Sequence, residues 1–190
     1  MRPILSILVP TFNRAHYLER LLSELEMQLN NCYGQGDVEV LVADNASEDL
    51  TSQVLERFSG RNVMWKIFVN STNMGADANM LKLLSQSHGS YRWIIGDDDI
   101  PAPGVLSYIL NLITTLAPSL IYLPSAWYTD VSNIKFEPVR KYSYQPLSSI
   151  NAAKDLHVWV TFISSWVFSA DQLFSGLSTM ELIAAGQGTF

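Results

Sequence analysis

Gly96-Asp97-Asp98-Asp99 stands between an apolar run, Tyr91-Arg-Trp-Ile-Ile95, and two prolines, Pro101 and Pro103. The aromatic and branched residues before it read as a buried strand, and the prolines end that strand and open a helix. Three adjacent carboxylates repel one another and cost stability unless a cation neutralises them. Hard oxygen ligands at a strand end suit Mg²⁺ or Mn²⁺, which keep coordination positions open for a substrate's phosphates. The alternative is a solvated acidic turn. Three other polar clusters bear on the choice: Thr11-Phe-Asn-Arg14, Asp44-Asn45 and Asn73-Met-Gly75.

The elements that must position these clusters alternate along the chain. Ile4–Val9 and Val38–Ala43 are short apolar strands. Between them, Tyr17, Leu18, Leu21, Leu22, Leu25 and Leu29 recur at helical spacing. A helix follows Asp44-Asn-Ala-Ser-Glu-Asp49, with Ser47 or Asp49 as its cap, and ends near Ser59. A strand near Val63–Val69, a helix from Ala76 to Ser87, the strand at 91–95, a helix from Pro103 to about Leu116 and a strand at Leu120–Leu123 complete the pattern. Such β-α alternation predicts an α/β fold, a mostly parallel sheet with helices on both faces. Ligands of open parallel sheets bind beyond the carboxyl ends of the strands, and each polar cluster falls at such an end. Singly, Asn13, Asn73 and Asp44 read equally well as turn residues and Arg14 as a surface charge; on one rim they make a site.

Composition narrows the partners. The chain of 190 residues fits one domain, and 48% hydrophobic with 16% charged residues excludes long disorder. A formal charge of −6 argues against generic nucleic-acid binding. The single cysteine, Cys32, carries no disulfide or metal-site spacing. The apolar run at the start is too short for a signal peptide, and no stretch is long enough to span a membrane, so a cytoplasmic protein is expected.

Beyond Pro124 the alternation weakens. Trp127–Lys141 reads as antiparallel strands or a flap, and a helix is expected from Ser148 or Ser149 to about Leu156. Val158–Phe168 is dense in Trp, Val, Phe and Ile, interrupted by Ser164-Ser165. So apolar a face is expected to be covered by a second copy, giving a homodimer; a peripheral association at the inner membrane face is a separate expectation.

Four stretches, in order, carry a resemblance: Ser6-Ile-Leu-Val-Pro-Thr-Phe-Asn-Arg14, Val42-Ala-Asp-Asn-Ala-Ser-Glu-Asp49, Asn73-Met-Gly75 and Trp93-Ile-Ile-Gly-Asp-Asp-Asp99. Together they resemble glycosyltransferase family 2, particularly its bacterial branch building surface polysaccharides and O-antigens. The resemblance implies a GT-A, Rossmann-like fold and an inverting transfer from a nucleoside-diphosphate-sugar donor to a saccharide or lipid-linked acceptor. It implies a nucleotide-sugar-binding part at 1–125 and an acceptor-side part of the same domain, cut short, at 126–190. It puts Pro10, Thr11, Asn13 and Arg14 around the base and Asp44 on the base or ribose. Asn73 and Gly75 come near the nucleotide, Gly75 allowing close backbone approach, while Asp77 is expected to cap its helix.

Where many family members read Asp-x-Asp-Asp, this chain reads Gly96-Asp97-Asp98-Asp99. Aligning on Pro103 makes Asp99 the ligand of Mn²⁺ or Mg²⁺, Asp98 a ribose or metal-shell contact, and Asp97 a further metal ligand. The family's catalytic base is usually an acidic residue in the C-terminal half, often in a Glu-Asp pair that this chain lacks after residue 110. The candidates are Asp155, Asp171 and Glu181, with His157 as another. Nucleotidyl transfer would want a glycine-rich basic loop after the first strand, and a phosphatase an Asp nucleophile there; Pro10-Thr11 is neither. A catalytically incomplete, nucleotide-sugar-binding fragment is the non-enzymatic alternative.

Overall fold

The computed structural model describes residues 2–31, 37–59, 65–124 and 163–173. In chain order the elements are β1 (Leu5–Thr11), α1 (Ala15–Asn30), β2 (Val38–Asp44), α2 (Thr51–Phe58), β3 (Trp65–Val69), α3 (Ala76–Gln86), β4 (Tyr91–Ile94), α4 (Val105–Leu116) and β5 (Leu120–Tyr122). A 3₁₀ turn (Ile163–Ser165), β6 (Trp166–Ser169) and a short helix, α5 (Ala170–Leu173), follow. The expected alternation is present through β5. The regions 127–141 and 148–156 lie outside the described residues.

The six strands form one sheet in the order β3-β2-β1-β4-β6-β5. β1 pairs in parallel with β2 and β4, and β2 with β3, while β6 runs antiparallel to both β4 and β5. Side chains alternate across β1 and β2 with the two-residue period of a strand. Leu5, Ile7, Val9, Val38, Val40 and Val42 join one core with α1, α2 and α4; Leu8, Leu41 and Ala43 join a second with Leu83 of α3. Helices therefore cover both faces, and burial on two sides explains the near-continuous apolar runs of β1 and β2.

β6 places the described end of the apolar stretch, from residue 166 on; residues 158–162 lie outside the described residues. Trp166–Ser169 is an interior strand, and Val167 is fully buried in the main core. Trp166–Ser169 is therefore covered in part within the chain, while Ile163 stays exposed.

Two polar locks set the loops. At the amino-terminal end of the sheet, buried Glu39 accepts hydrogen bonds from Ser6 Oγ (2.6 Å), the His88 N–H (2.6 Å) and Lys66 Nζ (2.7 Å). At the carboxyl end, Asp49 accepts from the Ala15 N–H (3.0 Å) and the Thr51 N–H (3.0 Å). One carboxylate thus caps the first turns of both α1 and α2, where backbone N–H groups lack helical partners.

Candidate functional site

The parallel register brings four strand ends to one rim. Thr11 lies opposite Asp44, the Asn45 N–H donates to Thr11 O (2.9 Å), the Asn70 N–H to Asp44 O (2.9 Å), and the Ile95 N–H to Leu8 O (3.0 Å). The loops after β1, β2, β3 and β4 consequently emerge side by side, carrying the four polar clusters.

The carboxylates after β4 do not form a single bare cluster. Asp99 N–H donates to Gly96 O (3.1 Å), which folds 96–99 into a turn. A Cβ on Gly96 would stand 3.0 Å from Asp99 Oδ2 and 3.1 Å from Asp98 Oδ1, so glycine is what lets the two carboxylates close over the backbone. Asp97 turns inward, 7% exposed, and accepts from Thr11 Oγ1 (2.7 Å) with Arg14 Nη1 at 3.6 Å. Asp98 stays on the surface and accepts from Arg14 Nη1 (2.5 Å). Asp99 accepts from Ser164 Oγ.

Burial pushes the Asp97 carboxyl above its ordinary range, against the Thr11 hydrogen bond and the Arg14 charge that pull it down. Burial also raises Asp99; the Ser164 bond opposes this and the Asp98 charge adds to it. Arg14 is raised in turn by its hydrogen bond to Asp98 and the charge of Asp97. The expected self-repulsion is therefore relieved in part from within, by one guanidinium from the first loop.

The donor set fits a divalent cation of the oxygen-binding kind. Asp98 Oδ1 and Asp99 Oδ1 have no hydrogen-bond partner among the described residues. Mg²⁺ and Mn²⁺ sites that also hold phosphates use only one or two carboxylates. Among the described residues no group of three or more His, Cys, Asp or Glu converges as an all-protein cage would require. Asp97, bonded to Thr11 and beside Arg14, is the least available of the three.

The remaining expected residues sit on the same rim, several of them holding loops together. Asp44 is 1% exposed and accepts through Oδ1 from the Ser47 N–H (3.1 Å) and Oγ (2.5 Å), leaving Oδ2 as its free acceptor among the described residues. Asn13 adopts a left-handed φ of 54°, accepts the Glu48 N–H (2.8 Å) and donates its own N–H to Ser47 Oγ (2.8 Å). Asn73 Oδ1 accepts from Asn45 Nδ2 (2.7 Å) and the Gly75 N–H (2.9 Å). Gly75 has φ 86°, with nothing within 4 Å of where a Cβ would be, so its conformation rather than crowding by the chain selects glycine. Asp77 is exposed in the first turn of α3.

Sequence reading missed the network beneath this loop. Asn70 Nδ2 donates to Asn45 Oδ1 (3.0 Å) and Asn79 Oδ1 (2.9 Å), Asn79 Nδ2 to Ala43 O (2.8 Å), and Lys82 Nζ to Asn70 Oδ1 (2.6 Å). These amides tie β2, the end of β3 and α3 into one support for residues 73–75. The signal in the sequence is a set of asparagines at strand ends, whose pairing no local pattern encodes.

Of the base candidates, Asp171 is displaced. It follows β6, whose Ser169 pairs with Tyr91 at the start of β4, and it bonds Arg2 Nη2 (3.3 Å). That is the opposite end of β4 from Asp97–Asp99, because β6 runs antiparallel, so Asp171 lies away from the rim and is not placed to serve as its base. Asp155, His157 and Glu181 lie outside the described residues.

Residues 6–171 match the family described as Glycosyl transferase family 2. Abequosyltransferase RfbV of Salmonella typhimurium is 34% identical over 122 residues, covering 63% of this chain and 35% of that protein. The GalNAc(5)-diNAcBac-PP-undecaprenol beta-1,3-glucosyltransferase of Campylobacter jejuni is 31% identical over 110 residues, 57% of this chain and 34% of that protein. The chain thus spans about a third of the length of these curated relatives. Among solved structures, S. aureus TarS 1-349 superposes with a TM-score of 0.72 at 20% identity, over 93% of this chain and 49% of that one. Mannosyltransferase PcManGT from Pyrobaculum calidifontis, in complex with GDP-Man and Mn²⁺, gives 0.63 at 16% identity, over 93% and 47%.

Proposed function

The chain belongs to glycosyl transferase family 2, and from that premise we propose that its carboxyl-end rim binds a nucleoside-diphosphate sugar and a divalent cation for glycosyl transfer. The observation that carries this reading is the convergence of Asp44, Arg14, Asp98 and Asp99 from three separate loops onto one rim. Asp44 Oδ2 would accept from a base N–H or a ribose hydroxyl, and the 73–75 loop would flank the nucleotide. Asp99, with Asp98 beside it, would hold Mn²⁺ or Mg²⁺, whose contribution is to neutralise negative charge on the departing diphosphate.

The reaction proposed is a single displacement with inversion. An acceptor hydroxyl oxygen bonds to the anomeric carbon as the bond from that carbon to the diphosphate oxygen breaks, and the hydroxyl proton passes to a carboxylate base. Asp155 and Glu181 remain the proposed bases. The Campylobacter relative is named for an undecaprenol-linked saccharide acceptor, which supports a saccharide or lipid-linked acceptor in surface-polysaccharide synthesis. No helix among the described residues is long and apolar enough to cross a membrane. With such an acceptor we place the work on the cytoplasmic side, at the inner membrane face.

A thermal-shift screen of UDP-, GDP-, CDP- and dTDP-sugars with and without Mn²⁺, followed by donor hydrolysis and transfer assays, tests the proposal. Stabilisation by one nucleotide class, larger with Mn²⁺, is expected. No response to any donor would remove the nucleotide from this rim, and binding without turnover would favour the fragment reading.

A further inference from the structure

We infer that Ser164 is a positioning residue for cation binding: it orients Asp99 so that one carboxylate oxygen faces the cation. The inference rests on the metal reading proposed above. Ser164-Ser165 interrupts the apolar run 158–168 without any role in local packing that the sequence reveals. In the structure the serine arrives beside the 96–99 turn from a remote part of the chain. Its Oγ donates to Asp99 Oδ2 and accepts the Gly96 N–H at 2.8 Å. Its backbone carbonyl accepts from Trp93 Nε1 at 2.7 Å, and the Trp93 side chain is itself buried in the main core.

These contacts form a chain of restraint from core to carboxylate. Trp93 fixes the backbone at 164, the Gly96 N–H directs the hydroxyl lone pair, and the hydroxyl proton is then aimed at Asp99 Oδ2. Oδ2 thus carries the hydroxyl, and Oδ1 is the oxygen with no hydrogen bond among the described residues. A residue that holds a ligating carboxylate in this way typically changes metal affinity ten- to a hundredfold when removed. The 3₁₀ turn that holds Ser164 leads directly into β6, so the segment that delivers the hydroxyl is tied to the strand lying between β4 and β5.

The test is Mn²⁺ affinity of the whole chain without nucleotide, by electron paramagnetic resonance, with melting temperature recorded beside it. Ser164→Ala is expected to weaken Mn²⁺ binding by roughly tenfold or more, and Ser164→Thr, which keeps the hydroxyl, to stay near the parent. Trp93→Phe, which removes the indole donor together with part of the buried ring, should fall between them, with its melting temperature reporting the lost packing. If Ser164→Ala binds Mn²⁺ as the parent does while Asp99→Asn loses it, the positioning role is overturned and the metal reading survives. If both variants keep full Mn²⁺ affinity, the metal reading fails and takes the inference with it. A lower melting temperature in Ser164→Ala with unchanged Mn²⁺ affinity would mark the serine as structural and overturn the role.

Discussion

Arg14 and Asp98 form an ion pair at 2.5 Å that joins the loop after β1 to the turn after β4. The same guanidinium lies 3.6 Å from Asp97, so one side chain offsets two neighbouring carboxylates. An incoming cation at Asp98 must therefore contend with a resident positive charge. Arg14→Gln is expected to tighten Mn²⁺ binding several-fold while weakening the nucleotide. Both partners are about half exposed, so the loss of stability should not exceed about 1 kcal/mol. Calorimetric titration of Mn²⁺ at low and moderate salt checks this; weaker Mn²⁺ binding in the variant would show that Arg14 assists rather than competes.

Asp99→Asn should abolish transfer and weaken cation-dependent nucleotide binding. Its effect on stability has a sign fixed by protonation. Asp97 and Asp99 are raised in the folded protein, so their contribution is fully present below about pH 3.9 and is lost as pH rises through the raised values. Asp99→Asn removes one such loss. The variant should match or exceed the parent in urea denaturation at pH 7, and that advantage should shrink towards pH 4. A less stable variant at pH 7 would contradict this.

Glu39 runs the other way. Burial raises its carboxyl, but the bonds from Lys66, Ser6 and the His88 N–H outweigh burial and leave it lowered. Its contribution is present above about pH 4.3 and is lost as pH falls through its folded value. Glu39→Gln should therefore destabilise the chain at pH 7 and lose less further stability on acidification than the parent does. Parallel pH–stability curves would show that Glu39 does not govern that limb.

Asp44→Ala should raise the donor dissociation constant roughly tenfold, the loss of one charge-assisted bond of about 1.5 kcal/mol. Because Asp44 also holds Ser47, Ser47→Ala is the control that loosens the loop yet keeps the carboxylate. Equal losses in the two variants would assign the effect to loop order instead of the base or ribose.

Asp49→Ala should cost about 1–2 kcal/mol in chemical denaturation, more than a single helix cap usually contributes, since two helices lose an acceptor together. A change below about 0.5 kcal/mol would mean that water replaces the carboxylate at both ends.

The elements through β5 were legible because burial on two faces writes itself into β1 and β2 as unbroken apolar runs, and α1 carries a leucine stripe. The rim was legible because turn chemistry follows each strand directly. Pairing across distance was not. Nothing in Trp166–Ser169 states that it lies between β4 and β5, so its place inside the sheet is not legible in the apolar run. Asp171 became a base candidate for the same reason, its acidity being visible and its end of the sheet being set by the direction of β6. Ser164 and the asparagines at 45, 70 and 79 are small polar residues whose partners are chosen only in three dimensions.

The antiparallel insertion of β6 also has a consequence for the order of assembly. Four strands, β3-β2-β1-β4, can pair using only residues 5–94, but β5 finds its hydrogen-bonding neighbour only after residue 166 has joined. Closing so long a loop before gaining its contacts slows folding. The sheet should consequently be completed in a late step, with the β4 edge exposed until then. Until then that edge is open to pairing with another strand, and Trp166–Ser169 is the segment whose arrival ends the exposure.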